Sequence, residues 1–236
     1  MHPHEQLEQR LEKTPWVGGK YAVACNSGTA ALHLALEALQ LPPGEVIVPN
    51  YCMVAVARAV VLAGHTPVFV DCHPDTLLTD NDRWPLMVDA TKYRATMVVH
   101  NYGREAYRPY DTMIIEDLAE AHGIVPDLRS VACWSFYKNK IVAGQEGGAV
   151  AFPKRKQADL ARQLRCIGFT PEHDYTHIPR GHNYRLADSL VPPIMWSLDY
   201  FDRNVFDRKE WASQLEGVAG RIVSVGWMLT LRLVIS

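Results

Sequence analysis

The chain has 236 residues, enough for one substantial domain or a domain plus part of a second. Apolar residues make up 48% and charged residues 21%, which excludes the low-hydrophobicity pattern of disorder. Lys and Arg total 24 against 26 Asp and Glu, so no basic field is available to hold nucleic acid or anionic lipid.

The opening MHPHEQLEQRLEK is polar with helical spacing and lacks the basic-then-apolar pattern of a secretory signal. The longest apolar run, Val54 to Gly64, contains Arg58 and is too short to span a bilayer. No membrane association is expected. The five cysteines are widely spaced without a CxxC pair, which points to a reducing, cytoplasmic setting.

From Tyr21 onward, short apolar runs alternate with helical stretches. YAVAC precedes GTAALHLALEAL, and EVIVP precedes MVAVARAVVLAG; PVFVD, ATMVVH, MIIED, VACWSF and GAVAF follow. Strands without polar alternation need cover on both faces, and the intervening helices supply it. The pattern predicts a three-layer α/β domain with a mostly parallel sheet. Ser27 is placed to cap the helix starting at Gly28, and Leu32, Leu36 and Leu39 share one face.

A further helix is predicted from Lys154 to about Cys166, followed by a long polar loop over residues 168–185. After the Pro192-Pro193 pair the pattern predicts one helix over residues 197–216, then an apolar tail, 220–236, suited to a strand or docking segment. This division reads as a large domain over 1–190 and a residual helix and tail over 191–236, with no complete second domain.

Three groups of residues carry chemistry. Ser27-Gly28-Thr29 lies between a buried strand and a helix, where unpaired N–H groups favour phosphate. Alone, it reads first as ordinary capping chemistry at a helix start. Glu116, Asp117 and Glu120 follow a strand end, where a carboxylate can hold a proton on a heteroaromatic nitrogen or simply sit in water. Ser135, Lys138 and Lys140 lie around the loop after VACWSF, and either lysine is an amine nucleophile or a solvated charge.

Taken together, NSGTAALHLAL, EVIVPNY, AGHTPVFVD, IIEDLAEAHG, SFYKNK, QEGGAV and GHNYRLAD resemble, in order, the DegT/DnrJ/EryC1/StrS family of sugar aminotransferases. Within it the chain is similar to the GDP-perosamine synthase branch. The resemblance implies the aspartate aminotransferase-like large domain of fold type I and the cofactor pyridoxal 5'-phosphate (PLP). It also implies amino transfer from an amino acid, glutamate by resemblance, to a nucleotide-linked 4-keto-6-deoxysugar.

On the same basis, Lys140 forms a Schiff base with PLP and shuttles the proton. Asp117 pairs with the pyridinium nitrogen, and Glu120 lies near the ring hydroxyl. Ser27, Gly28, Thr29 and Ser135 hold the phosphate. Asn183 matches an asparagine that reaches the neighbouring subunit's phosphate, implying a homodimer with shared active sites. His182, beside it, is the one histidine linked to substrate.

Where relatives stack an aromatic ring on the cofactor, this chain has Met53, whose sulfur contributes about 0.3–1.5 kcal/mol against an aromatic ring. Relatives have a longer N-terminal segment and a small C-terminal domain, so this chain is expected to be a truncated form. Lys140 argues against the dehydratase variant, which has histidine there; a PLP-binding relic or partner subunit without transfer activity is the alternative. The histidines show no HExxH-type spacing, and no metal is expected.

Overall fold

A computed structural model describes residues 2–79, 92–109, 111–170 and 175–219. All seven predicted strands form: β1 (Tyr21–Cys25), β2 (Glu45–Pro49), β3 (Thr66–Val70), β4 (Ala95–Val99), β5 (Met113–Asp117), β6 (Val131–Ser135) and β7 (Gly148–Phe152). They make one sheet in the order β1-β7-β6-β5-β4-β2-β3. Only β7 runs against its neighbours β6 and β1; the other pairings are parallel.

Period-2 alternation divides the strands between two cores. Val23, Val46, Val48, Met97, Ile115, Cys133 and Val150 point to helices α2 (Gly28–Leu39), α3 (Val54–Leu62) and α4 (Arg155–Arg165). Ala22, Ala24, Ala132, Trp134, Ala149 and Ala151 meet Leu7 and Leu11 of α1 (Pro3–Glu12) and Val191, Ile194 and Leu198 of α5 (Val191–Asp199). Small alanines on this second face let Trp134, Trp16 and Phe136 fill the layer, with Trp16 tilted against Trp134 at 5.5 Å. The result is the expected three-layer α/β architecture.

One prediction needs correction. The helix expected after Pro192-Pro193 is two helices, α5 and α6 (Phe201–Ala219), separated at Tyr200, and the prolines lie inside the first turn of α5. First-turn N–H groups have no intrahelical acceptor, so proline costs little there. The apolar tail 220–236 lies outside the described residues. Among the described residues, no helix is long and apolar enough to cross a membrane.

Strand β1 lies at a sheet edge, but its outer side is not bare. Glu8 and Glu12 of α1 accept the Ala24 and Ala22 N–H groups at 3.0 Å each. Arg165 and Arg162 of α4 donate to the Ala24 and Ala22 carbonyls at 2.7 and 2.9 Å, and both also bind Glu8. Side chains thus replace a missing strand and seal the edge against further pairing.

Candidate active site

Because β1, β2, β4, β5 and β6 point the same way, their carboxyl ends share one edge of the sheet. A cavity of about 690 Å3 opens there. Eight predicted residues line it: Ser27, Gly28, Thr29, Met53, Asp117, Glu120, Ser135 and Lys140.

The α2 end of the cavity is a cradle of backbone donors. Ser27 caps α2 by accepting the Ala30 N–H at 3.1 Å, and the Ala31 N–H bonds the Ser27 carbonyl. The Gly28 and Thr29 N–H groups, at the free start of the helix, are left for a ligand. The approach of α2 to β6 is tight: a Cβ on Gly28 would stand 2.8 Å from the Ser135 Cβ. A Cβ on Gly148 would stand 2.4 Å from the Ser27 carbonyl oxygen. Both positions require glycine to bring the Ser135 hydroxyl beside the helix start.

Across the cavity, Asp117 is buried at the end of β5, with Oδ1 accepting the Ala119 N–H at 2.9 Å. Burial pushes its carboxyl above the ordinary value, outweighing that hydrogen bond and the nearby Lys140 charge. A buried acid in this state calls for a cationic or N–H partner. Lys140 Nζ lies 3.5 Å from Glu120 Oε1, and Glu120 Oε2 accepts the Tyr102 N–H at 3.1 Å. Lys138 is absent from the cavity lining; its ammonium lies over the Tyr137 ring, 5.7 Å from the centroid. Met53 borders the cavity as the residue before α3, with 68% of its surface exposed.

Several contributors were not legible beforehand. Tyr102, left-handed at φ 57°, joins its hydroxyl to that of Tyr51 at 2.5 Å. Burial, then that bond, pushes the Tyr102 phenol up to about 12. His100 lines the cavity; its Nδ1 accepts the Ala106 N–H at 3.1 Å, so its Nε2–H donates to Glu116 at 2.8 Å. Glu116 faces away from the cavity, taking further bonds from Arg108, Ser130 and the Asp127 N–H. Behind the lysine loop, Arg208 of α6 donates to the Lys140 and Asn139 carbonyls at 2.8 and 3.0 Å, and Asn204 donates to the Ile141 carbonyl.

Asn183 and His182 do not line the cavity. Asn183 is exposed and its backbone pairs with Cys166. The His182 ring stacks on Tyr184 at 4.9 Å and packs against His33, so within this chain it makes no contact at the cavity.

The residues present fit PLP: a phosphate cradle, a lysine amine and a buried carboxylate face one space of suitable size. Fold and site define the large domain of a PLP-dependent aminotransferase. The chain belongs to the DegT/DnrJ/EryC1/StrS aminotransferase family, whose pattern matches residues 3–220.

The chain is similar to GDP-perosamine synthase of Caulobacter vibrioides, with 34% identity over 246 residues, 92% of this chain and 66% of that protein. The S. venezuelae DesV structure, in complex with a ketimine intermediate, superposes with a TM-score of 0.82 at 32% identity, covering 93% of this chain and 62% of that one. Bacillus subtilis NtdA with bound cofactor PMP shares the fold, with a TM-score of 0.81 at 24% identity over 92% of this chain and 52% of that one. The chain therefore spans 66% or less of each of these proteins.

Proposed function

We propose that this chain binds PLP and transfers an amino group from an amino acid, glutamate by resemblance, to a nucleotide-linked 4-keto-6-deoxysugar. One observation carries the reading: the Lys140 amine, the buried Asp117 carboxyl and the free start of α2 line the same cavity. The proposed cytoplasmic setting draws on cysteine usage.

When bound, PLP supplies an electron sink for the carbon that gains or loses the amine. Lys140 would hold the cofactor covalently, and its amine would carry the proton to and from the substrate carbon. Asp117 would hold a proton on the ring nitrogen, a cationic partner of the kind a buried carboxyl calls for. Glu120, 3.5 Å from the Lys140 amine, would orient it and stand near the ring hydroxyl. Ser27, Gly28, Thr29 and Ser135 would hold the phosphate, and Met53 would border the ring.

Residues 1–190 form the proposed cofactor-binding domain, to which 191–219 add support through Asn204 and Arg208 behind the lysine loop. Asn183 is proposed to reach the phosphate of a second copy in a homodimer, a role suited to its exposure.

Borohydride reduction of the PLP-loaded chain followed by peptide mapping tests the anchor. The adduct belongs on Lys140; an adduct on Lys138 overturns the assignment. Transfer is tested with PLP, glutamate and a panel of keto-sugar nucleotides, read by mass spectrometry for amine product. Labelling of Lys140 with no amine product across the panel would reduce the function to cofactor binding.

A further inference from the structure

Outside the cavity, three side chains converge where α2 meets the loop after α4. His33 and Glu37 are one turn apart on α2, and His182 comes from the loop. One ligand atom from each residue lies within 4.8 Å of the other two, with His33 Nε2 at 3.7 Å from Glu37 Oε1. The setting is nearly dry: the side chains of His33 and Glu37 are 4% and 7% exposed. The Nε2 atoms of His33 and His182 are both buried without a hydrogen-bond partner.

Unpaired buried imidazole nitrogens beside a buried carboxylate are costly unless a cation or a donor joins them. A metal dication is a group that neutral imidazole and carboxylate bind together, and the three ligand atoms already face one point.

We propose that His33, Glu37 and His182 form a binding site for a zinc-class dication, with water or another ligand in the fourth position. Two histidines and a carboxylate suit zinc, whose bonds to such ligands are about 2.0–2.2 Å. A tetrahedral ion places ligand atoms about 3.4 Å apart, so the cluster closes by movements on the order of 1 Å. The Tyr184 hydroxyl lies 3.0 Å from His33 Nδ1 and can accept its proton, which leaves Nε2 free as a ligand.

Arg180 Nη1 lies 3.6 Å from Glu37 Oε1, and it is the competing cation. Its side chain is 73% exposed, so it can swing into solvent when the ion enters. The ion would also pin the loop to α2 beside Asn183. None of its three residues lines the cofactor cavity, so zinc binding is read separately from amino transfer.

The test uses the full chain, stripped with chelator and titrated with Zn2+ against a chromophoric competitor. One zinc per chain should be retained, and Co2+ in its place should give the intense visible bands of four-coordinate cobalt. Because His33 is buried, Glu37→Gln and His182→Ala are the informative variants, with circular dichroism to verify folding. Each should weaken zinc binding by at least about tenfold, while Arg180→Gln should strengthen it. The stacked His2–His4 pair is the control for adventitious binding, and His4→Ala should leave the affinity unchanged. Absence of stoichiometric zinc, unchanged affinity in both Glu37→Gln and His182→Ala, or loss confined to His4→Ala overturns the site.

Discussion

Gly28 and Ser135 meet so closely that one added carbon on Gly28 would lie 2.8 Å from the Ser135 Cβ. The helix start and the end of β6 are therefore held together through the absence of a side chain. Gly28→Ala should cost about 1–3 kcal/mol of stability through overpacking and weaken PLP binding as Ser135 is displaced. Urea unfolding and an absorbance titration with PLP measure the two effects. Wild-type cofactor affinity in this variant would remove Gly28 and Ser135 from the phosphate cradle.

Asp117 gives a prediction with a definite sign. Burial holds its carboxyl above the unfolded-chain value of 3.8. An acid with a higher pKa when folded favours folding while protonated, so its contribution is complete below about pH 3.8 and is lost as pH rises through the folded value. Asp117→Asn, uncharged throughout, should therefore melt higher than the cofactor-free wild type at pH 7 while losing most transfer activity. Melting curves across pH, paired with the transfer assay, check both halves; a lower melting point at pH 7 contradicts the burial argument.

Glu116 behaves in the opposite way. Burial alone would raise its pKa, but hydrogen bonds from His100 and Ser130 and the nearby Arg108 guanidinium outweigh burial and bring it down to about 2. Its stabilising contribution is present above the unfolded value of 4.5 and disappears as pH falls toward about 2. Glu116→Gln should lower stability at pH 7 by about 3 kcal/mol, with the difference from wild type shrinking below pH 4.5. Denaturant midpoints at pH 7 and pH 3 provide the comparison, and an equal loss at both would show that charge is not the cause.

Asn183 tests the proposed shared site. Asn183→Ala should weaken PLP binding by about 1.5–3 kcal/mol, the worth of a hydrogen bond to a charged group. Mixing it with Lys140→Ala chains should restore activity, since a hybrid dimer has one site with both residues intact. Subunits that exchange without recovery, or a monomer binding PLP at full strength, would confine Asn183 to its own chain or to no role.

The seven strands were legible because continuous apolar runs have few other uses in a chain of this composition, and the strand ends carried Ser27, Asp117 and Ser135 to one edge. Lys140 could be separated from Lys138 only by resemblance, since both occupy the same loop. Contacts that join distant segments left no local mark. Arg208 reads as one more charge on a polar helix, yet it holds the Lys140 carbonyl. Glu8 reads as a solvated acid, yet it is 4% exposed between two arginines and a strand. His33 reads as a polar break in an apolar helix face, and its tertiary neighbours are what set it apart.

The antiparallel β7 has a consequence for the order in which the molecule can be built. It is the last strand of the sheet in chain order, yet it fills the space between β6 and β1, the first. Until β7 arrives, β1 has no strand partner, and such long-range pairing is the slow kind of contact. The Gly147–Ser27 bridge and the tight Gly148–Ser27 approach lie on the same seam. The start of α2 that lines the cavity therefore gains its contacts with Gly147 and Gly148 only when β7 is inserted. Under the proposed function, a ligand held at that helix start would bind the completed sheet best and so favour insertion of β7.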